Sequence, residues 1–202
     1  IKRVAHHGRG GARRDEHVEQ PLVVVFEHAP VAARARLQHH QLGAALAEGL
    51  QSIHQAKLLH RDLKARNIIC GRDGPFVIDF GLALLTETKV RRAEEPGRLT
   101  ASGDVVGTLV CMPPEQIRGE PLTSAADIYA LGATLVYAAT GHYPYAADSQ
   151  FALMVQINSP SVSPNLTGLP PELEPIVNQM LSMNAIERPG LDAVITTLVG
   201  IV

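Results

Sequence analysis

Cysteine is scarce in this chain, with only Cys70 and Cys111 among 202 residues. Two thiols cannot build the disulfide framework of a small secreted domain, and they fit a reducing compartment. Long apolar runs are scarce as well. The longest strongly apolar run, Leu22 to Phe26, falls far short of the ~20 residues a helix needs to cross a bilayer. No transmembrane helix is expected, and no signal peptide either, because no hydrophobic region precedes a small-residue cleavage site near the N-terminus. Neither sign of charge is in excess: 18 Lys and Arg against 20 Asp and Glu leave a net charge of −2. Nothing electrostatic therefore points to nucleic acid or an anionic membrane as a partner, and the doublet Arg91-Arg92 is answered by Glu94-Glu95. The nine histidines include the adjacent pairs His6-His7 and His39-His40, and sequence neighbours do not face one ligand on a helix. They read as solvated side chains. An initiating methionine is also missing, Ile1 standing first, and the expectation is a piece of a longer protein.

What is present is an ordinary globular composition, 46% hydrophobic and 19% charged, on a chain long enough for one sizeable core. Residues 8 to 21 are rich in Gly, Arg and acids and read as a loop after a short strand at Ile1-Lys2-Arg3-Val4. Leu22-Val23-Val24-Val25-Phe26, bounded by Pro21 and Pro30, predicts a buried strand. Leu42, Leu46, Leu50 and Ile53 recur at helical spacing and predict an amphipathic helix over about 37 to 55. Ile68-Ile69-Cys70 and Pro75-Phe76-Val77-Ile78 flank Gly71-Arg72-Asp73-Gly74, a hairpin signal. Residues 82 to 112 lack either period. Ser124-Ala125-Ala126-Asp127 reads as a capping box opening a helix that runs through Leu131 and Leu135 to Gly141. Further helices are predicted at 149 to 157, 171 to 183 and 190 to 200. The helix at 171 to 183 has Pro170-Pro171 and two acids, Glu172 and Glu174, at its start.

The residues that carry chemistry fall in three clusters. His60-Arg61-Asp62-Leu63-Lys64-Ala65-Arg66-Asn67 is followed by Asp79-Phe80-Gly81 and then by Pro113-Pro114-Glu115. An isolated His-Arg-Asp is a common surface tripeptide, and an isolated Asp-Phe-Gly reads equally well as a strand ending in a turn. In this order and spacing, the chain from about residue 21 onwards resembles the protein kinase superfamily, in particular the bacterial eukaryotic-like Ser/Thr kinases.

The resemblance implies an α+β fold, with a mainly helical large lobe over 30–202 and a remnant of the small lobe and hinge over 1–29. It implies a catalytic loop at 60–67 and an activation segment at 79–115. Phosphoryl transfer depends on positioning and charge neutralisation, so the implied cofactors are ATP and Mg²⁺. Asp62 is then the group that orients the acceptor hydroxyl, and Lys64 a point charge at the transferring phosphate. Asn67 and Asp79 are hard oxygen ligands of the kind Mg²⁺ takes. The backbone of Glu27 and Ala29 would face the adenine, with Phe26 as gatekeeper. His60, Arg61, Phe80, Gly81 and Thr108 are implied structural or regulatory positions. Asp127 would hold the backbone of the catalytic loop, and Glu115 would form a buried ion pair with Arg188 of Glu187-Arg188-Pro189. Thr86, Thr88, Thr100 and Ser102 are candidate acceptors for an activating phosphate, with Arg61 as its cationic partner, and each reads equally well as an ordinary polar loop residue.

Lys64, with Gly107-Thr108 ahead of Met112-Pro113-Pro114-Glu115, favours Ser/Thr specificity and a protein substrate. Arg66 before the Asn is more familiar from tyrosine kinases, Cys111 stands where an aromatic is usual, and Pro113 where alanine is. Neither the Gly-rich phosphate loop nor the strand lysine is visible: Gly8-Arg9-Gly10-Gly11 lacks the spacing, and Lys2 is the only lysine before the hinge. A chain without these parts is expected to be inactive by itself. Two rivals are a pseudokinase scaffold, disfavoured by the full set of Asp62, Asn67 and Asp79, and a small-molecule phosphotransferase of the aminoglycoside type, disfavoured by the activation segment. The expected location is cytoplasmic, with membrane tethering outside this segment and oligomeric state left open.

Overall fold

A computed structural model describes residues 24–25, 39–71, 74–79, 84–85 and 109–201. The architecture is α+β, helix-rich with two small antiparallel sheets. Strand β1 (Val24–Val25) pairs with β3 (Ile68–Gly71), and β3 with β4 (Gly74–Val77). The register sets Val25 against Ile69, and Ile68 against Val77. β1 thus realises the core of the predicted apolar strand, and β3–β4 is the predicted hairpin. A second pair was not legible from periodicity, because each strand has only two residues: β2 (Leu58–Leu59) lies antiparallel to β5 (Leu84–Leu85).

Helix α1 (His39–Gln55) buries Leu42, Leu46 and Leu50 and half-buries Ile53, the stripe that the spacing predicts. It packs against α6 (Leu191–Val199) and α3 (Ser124–Thr140). Gly43 permits that approach, since a Cβ there would lie 2.9 Å from Leu198 Cδ1 and 3.1 Å from Leu135 Cδ1. Helix α3 is the centre of the core. It is buried almost all round from Ala126 to Val136, the condition of a helix with core on every side. It ends at Gly141, whose φ of 83° is the left-handed conformation a glycine cap adopts at least cost.

The start of α3 departs from the capping-box expectation. Thr123, not Ser124, is the N-cap, its hydroxyl accepting from the Ala125 N–H at 3.3 Å. Asp127 cannot reach back to cap, because its carboxylate is engaged by other partners described below.

Helix α4 (Gln150–Ile157) is capped by Ser149, whose hydroxyl accepts from the Ala152 N–H. Helix α5 (Glu174–Met180) is shorter than the predicted 171–183. Residues 170–173 close a tight turn through Leu173 N–H to the Pro170 carbonyl, and Pro175 has no N–H with which to extend the helix back to Pro171. Helix α2 (Pro114–Ile117) is a single turn with proline in its first position, where the missing donor costs nothing. Among the described residues, no helix is long and apolar enough to cross a membrane.

Candidate active site

Segment 60–67 links β2 to β3 and closes with a single 3₁₀ turn at Ala65–Asn67. It is a sharply bent loop, and Arg61 carries its bend at φ 67°. Two other described non-glycine residues have positive φ, Lys57 at 60° and Asp79 at 64°, the latter following β4. Each such residue costs roughly 1–3 kcal/mol and persists only where its surroundings over-determine it.

For Arg61 those surroundings can be named. Asp127 is fully buried. Its Oδ2 accepts from the His60 N–H at 2.9 Å and its Oδ1 from the Arg61 N–H at 2.8 Å. The expected grip of Asp127 on the loop backbone is therefore present. His54, at the end of α1, reaches the same Oδ2 through Nε2 at 2.7 Å. The Asp62 N–H donates to His60 Nδ1 at 3.3 Å, which makes Nδ1 the acceptor and leaves Nε2–H to face the Ile78 carbonyl at 3.4 Å. His60, itself buried, therefore links the loop to the residue that precedes Asp79.

Asp62, Lys64 and Asn67 converge. Lys64 Nζ donates to both Asp62 carboxylate oxygens, at 2.9 and 2.8 Å. Asn67 Nδ2 donates to the Asp62 carbonyl at 2.8 Å and to Asp62 Oδ2 at 3.3 Å. Since the amide nitrogen is committed to Asp62, Oδ1 is the Asn67 atom left to face a cation. The Ile78 N–H donates to the Asn67 carbonyl at 2.8 Å, which ties the start of the hairpin to the residue next to Asp79. Asp79 is exposed. A carboxylate and a carboxamide oxygen are the hard donors Mg²⁺ takes, with waters and substrate phosphates filling the rest of its shell, so these residues fit that ion.

The expected ion pair is also present. Arg188 donates through Nη1 to Glu115 Oε1 at 2.6 Å and through Nη2 to Oε2 at 2.8 Å, a bidentate fork. Its Nε donates to the Ser182 carbonyl at 2.8 Å and Nη1 also to the Ala125 carbonyl at 2.9 Å. The guanidinium lies 5.0 Å from the centre of the Tyr129 ring, and burial, reinforced by neighbouring Tyr145, holds the Tyr129 phenol well above its ordinary pKa. Among the described residues, the buried Nε of Arg61 meets no hydrogen-bond partner.

Glu27, Ala29, Phe80, Gly81, Thr108 and the candidate phosphate acceptors Thr86, Thr88, Thr100 and Ser102 lie outside the described residues, as do Phe26 and Lys2. Cys111 is buried with its sulfur 3.9 Å from Thr134 Oγ1, and burial raises the thiol pKa of half-buried Cys70. Sequence reasoning missed two contributors. One is His54, which reads as the end of an amphipathic helix. The other is Gln116, whose Nε2 donates to the Arg61 carbonyl at 3.3 Å.

The profile of the protein kinase domain matches residues 24–198. The chain belongs to the protein kinase domain family. It is similar to the serine/threonine-protein kinase AfsK of Streptomyces coelicolor, with 40% identity over 172 residues that cover 83% of this chain and 19% of the relative. It is 41% identical over 148 residues to the probable serine/threonine-protein kinase PkwA of Thermomonospora curvata, covering 73% of this chain and 19% of that protein. The chain thus spans about a fifth of the length of these curated relatives. Among solved structures, the Rad53 kinase domain, crystallised with SCD2 and AMPPNP, superposes with a TM-score of 0.60 at 20% identity, over 82% of this chain and 61% of that one. That likeness bears on the fold alone, which is kinase-like.

Proposed function

We propose that this chain is the large lobe of a protein kinase that transfers the γ-phosphate of ATP to Ser or Thr hydroxyls of protein substrates, with residues 1–29 as the hinge and a remnant of the small lobe. The observation that carries the reading is the convergence of Lys64 and Asn67 on Asp62, beside a loop whose strained bend is held by buried Asp127.

Asp62 orients the acceptor hydroxyl and takes its proton, with one carboxylate oxygen steadied by the Asn67 amide. Lys64, already seated on that carboxylate, lies where an arriving phosphate meets a positive charge. Asn67 Oδ1 and Asp79 hold Mg²⁺, which supplies charge neutralisation to the phosphate oxygens when bound. Glu27 and Ala29 present backbone to the adenine. Phe80, Gly81 and Thr108 frame the activation segment over 79–115, and the Nε of Arg61, which meets no partner among the described residues, suits an anion such as a phosphate on that segment. The location is cytoplasmic, with any membrane tether outside this segment.

Residues 1–202 by themselves carry no Gly-rich loop or strand lysine to clamp the phosphates, so the isolated chain turns over little. The test compares this chain with the whole protein its gene encodes, each given Mg-ATP and a generic protein acceptor, with phosphosites located by mass spectrometry. The whole protein is expected to phosphorylate Ser and Thr. Turnover by the isolated chain at the ~1–100 per second typical of kinases would overturn the inactivity reading, and product confined to Tyr would overturn the specificity.

A further inference from the structure

We propose that Gln116 is a positioning residue that ties the end of the activation segment to the peptide bond immediately before Asp62. Its effect on catalysis rests on the kinase reading above, whereas its effect on the loop does not.

The peptide unit joining Arg61 to Asp62 is gripped at both ends. Its N–H, from Asp62, donates to His60 Nδ1 at 3.3 Å. Its carbonyl, from Arg61, accepts from Gln116 Nε2 at 3.3 Å, a contact between residues 55 apart in sequence. Arg61 sits in the left-handed region at φ 67°, which a long side chain leaves readily unless held. The two carboxylate bonds from Asp127 fix the N–H groups on the near side of the bend. Relaxation by rotation of the next peptide plane would swing the Arg61 carbonyl and carry Asp62 with it. The bond from Gln116 opposes that swing.

Gln116 is itself well anchored. It is half-buried on the single turn α2, with its N–H donating to the Pro113 carbonyl at 3.0 Å. The residue before it, Glu115, is buried and locked bidentately to Arg188. Leu109, Val110 and Cys111, just upstream, are buried in the core. The arrangement therefore runs from the core through Arg188 and Glu115 to Gln116, and from there to the backbone of the catalytic loop. The residue type matters: a carboxamide can donate to a carbonyl, whereas a glutamate would set negative charge against its oxygen.

Two substitutions and two readouts test this. Gln116→Met keeps the length and removes the donor, and Gln116→Glu keeps the shape and donates only when protonated. In the 202-residue chain, amide hydrogen exchange of Asp62 is expected to speed up about fivefold in Gln116→Met, the loss of one ordinary hydrogen bond. Exchange of Leu131 and Leu135 on α3 stays within about twofold, reporting an unaltered core. In the whole protein, Gln116→Met is expected to lower kcat about tenfold with KM for ATP within about twofold, the signature of misplaced chemistry without lost substrate binding. Gln116→Glu recovers part of its kcat on acidification, a limb the parent's pH profile lacks. Unchanged Asp62 exchange in Gln116→Met overturns the proposal, as does faster exchange shared equally by the α3 amides or a rise in KM for ATP at constant kcat. If the unsubstituted whole protein transfers no phosphate, the kinase reading falls and the exchange result alone decides the role of Gln116.

Discussion

Arg188→Ala removes the most heavily used side chain in the described structure. Its guanidinium makes two charge-assisted bonds to Glu115 and one each to the carbonyls of Ser182 and Ala125. The side chains of the pair are 0% and 6% exposed. Truncation strands a buried carboxylate, which costs about 3–5 kcal/mol, far more than an exposed pair would. The two carbonyls and the contact with the Tyr129 ring add to the loss, although shared partners make such terms non-additive. For a domain of this size each kcal/mol moves Tm by about 2–4 °C, so the midpoint should fall by roughly 6–20 °C. Urea denaturation followed by tyrosine fluorescence gives the free energy directly. The double variant Arg188→Met, Glu115→Leu leaves no stranded charge and should be less destabilised than Arg188→Ala alone. An unmoved midpoint in Arg188→Ala, or a double variant whose loss equals the sum of its singles, would show that the pair is not coupled as its geometry requires.

In the whole protein, Asp62→Asn should abolish most of kcat while nucleotide binding stays nearly intact, whereas Asp79→Asn should also weaken Mg-ATP binding. An interaction made mainly in the transition state lowers kcat, and one made in the ground state raises KM as well, so equal loss of ATP affinity in both variants would reverse the assignment. Stability should decline on the alkaline side. Burial raises the phenol pKa of Tyr129 and of Tyr145, so above ~10 the unfolded chain releases protons the folded one keeps, and stability is full below that value and lost as pH rises. Urea midpoints from pH 8 upwards check this (flat, then falling), and Tyr129→Phe should flatten the alkaline limb.

Much of this molecule is written in local sequence. The stripe Leu42, Leu46, Leu50 gives α1, and turn residues between β-branched runs give the β3–β4 hairpin. Both signals act over a few residues, where spacing translates directly into a face or a register. The residue types of the site were legible for the same reason, because Asp62, Lys64 and Asn67 share one short loop. The two-residue strands β2 and β5 carry no period, and their pairing brings residues on either side of Asp79 together only in three dimensions. Helix α5 was overextended because the pattern did not weigh Pro175 against the turn that precedes it.

The capping-box misreading of Asp127 shows where local reasoning stops. A Ser-x-x-Asp at a helix start has a sufficient explanation within four residues, so nothing nearby demands another. The carboxylate nevertheless serves His60 and Arg61, 67 and 66 residues away, with His54 as a third donor. The cause is the bend at Arg61. A left-handed arginine is unstable alone and needs acceptors for its N–H and a donor for its carbonyl, and those can come only from segments packed against the loop. Asp127 and Gln116 supply them from the start of α3 and from α2. Arg188 joins those same two elements by donating to both Glu115 carboxylate oxygens and to the Ala125 carbonyl. The motif residues thus set what the loop can do chemically, and the shape that lets them do it is held by side chains whose partners lie more than 50 positions away.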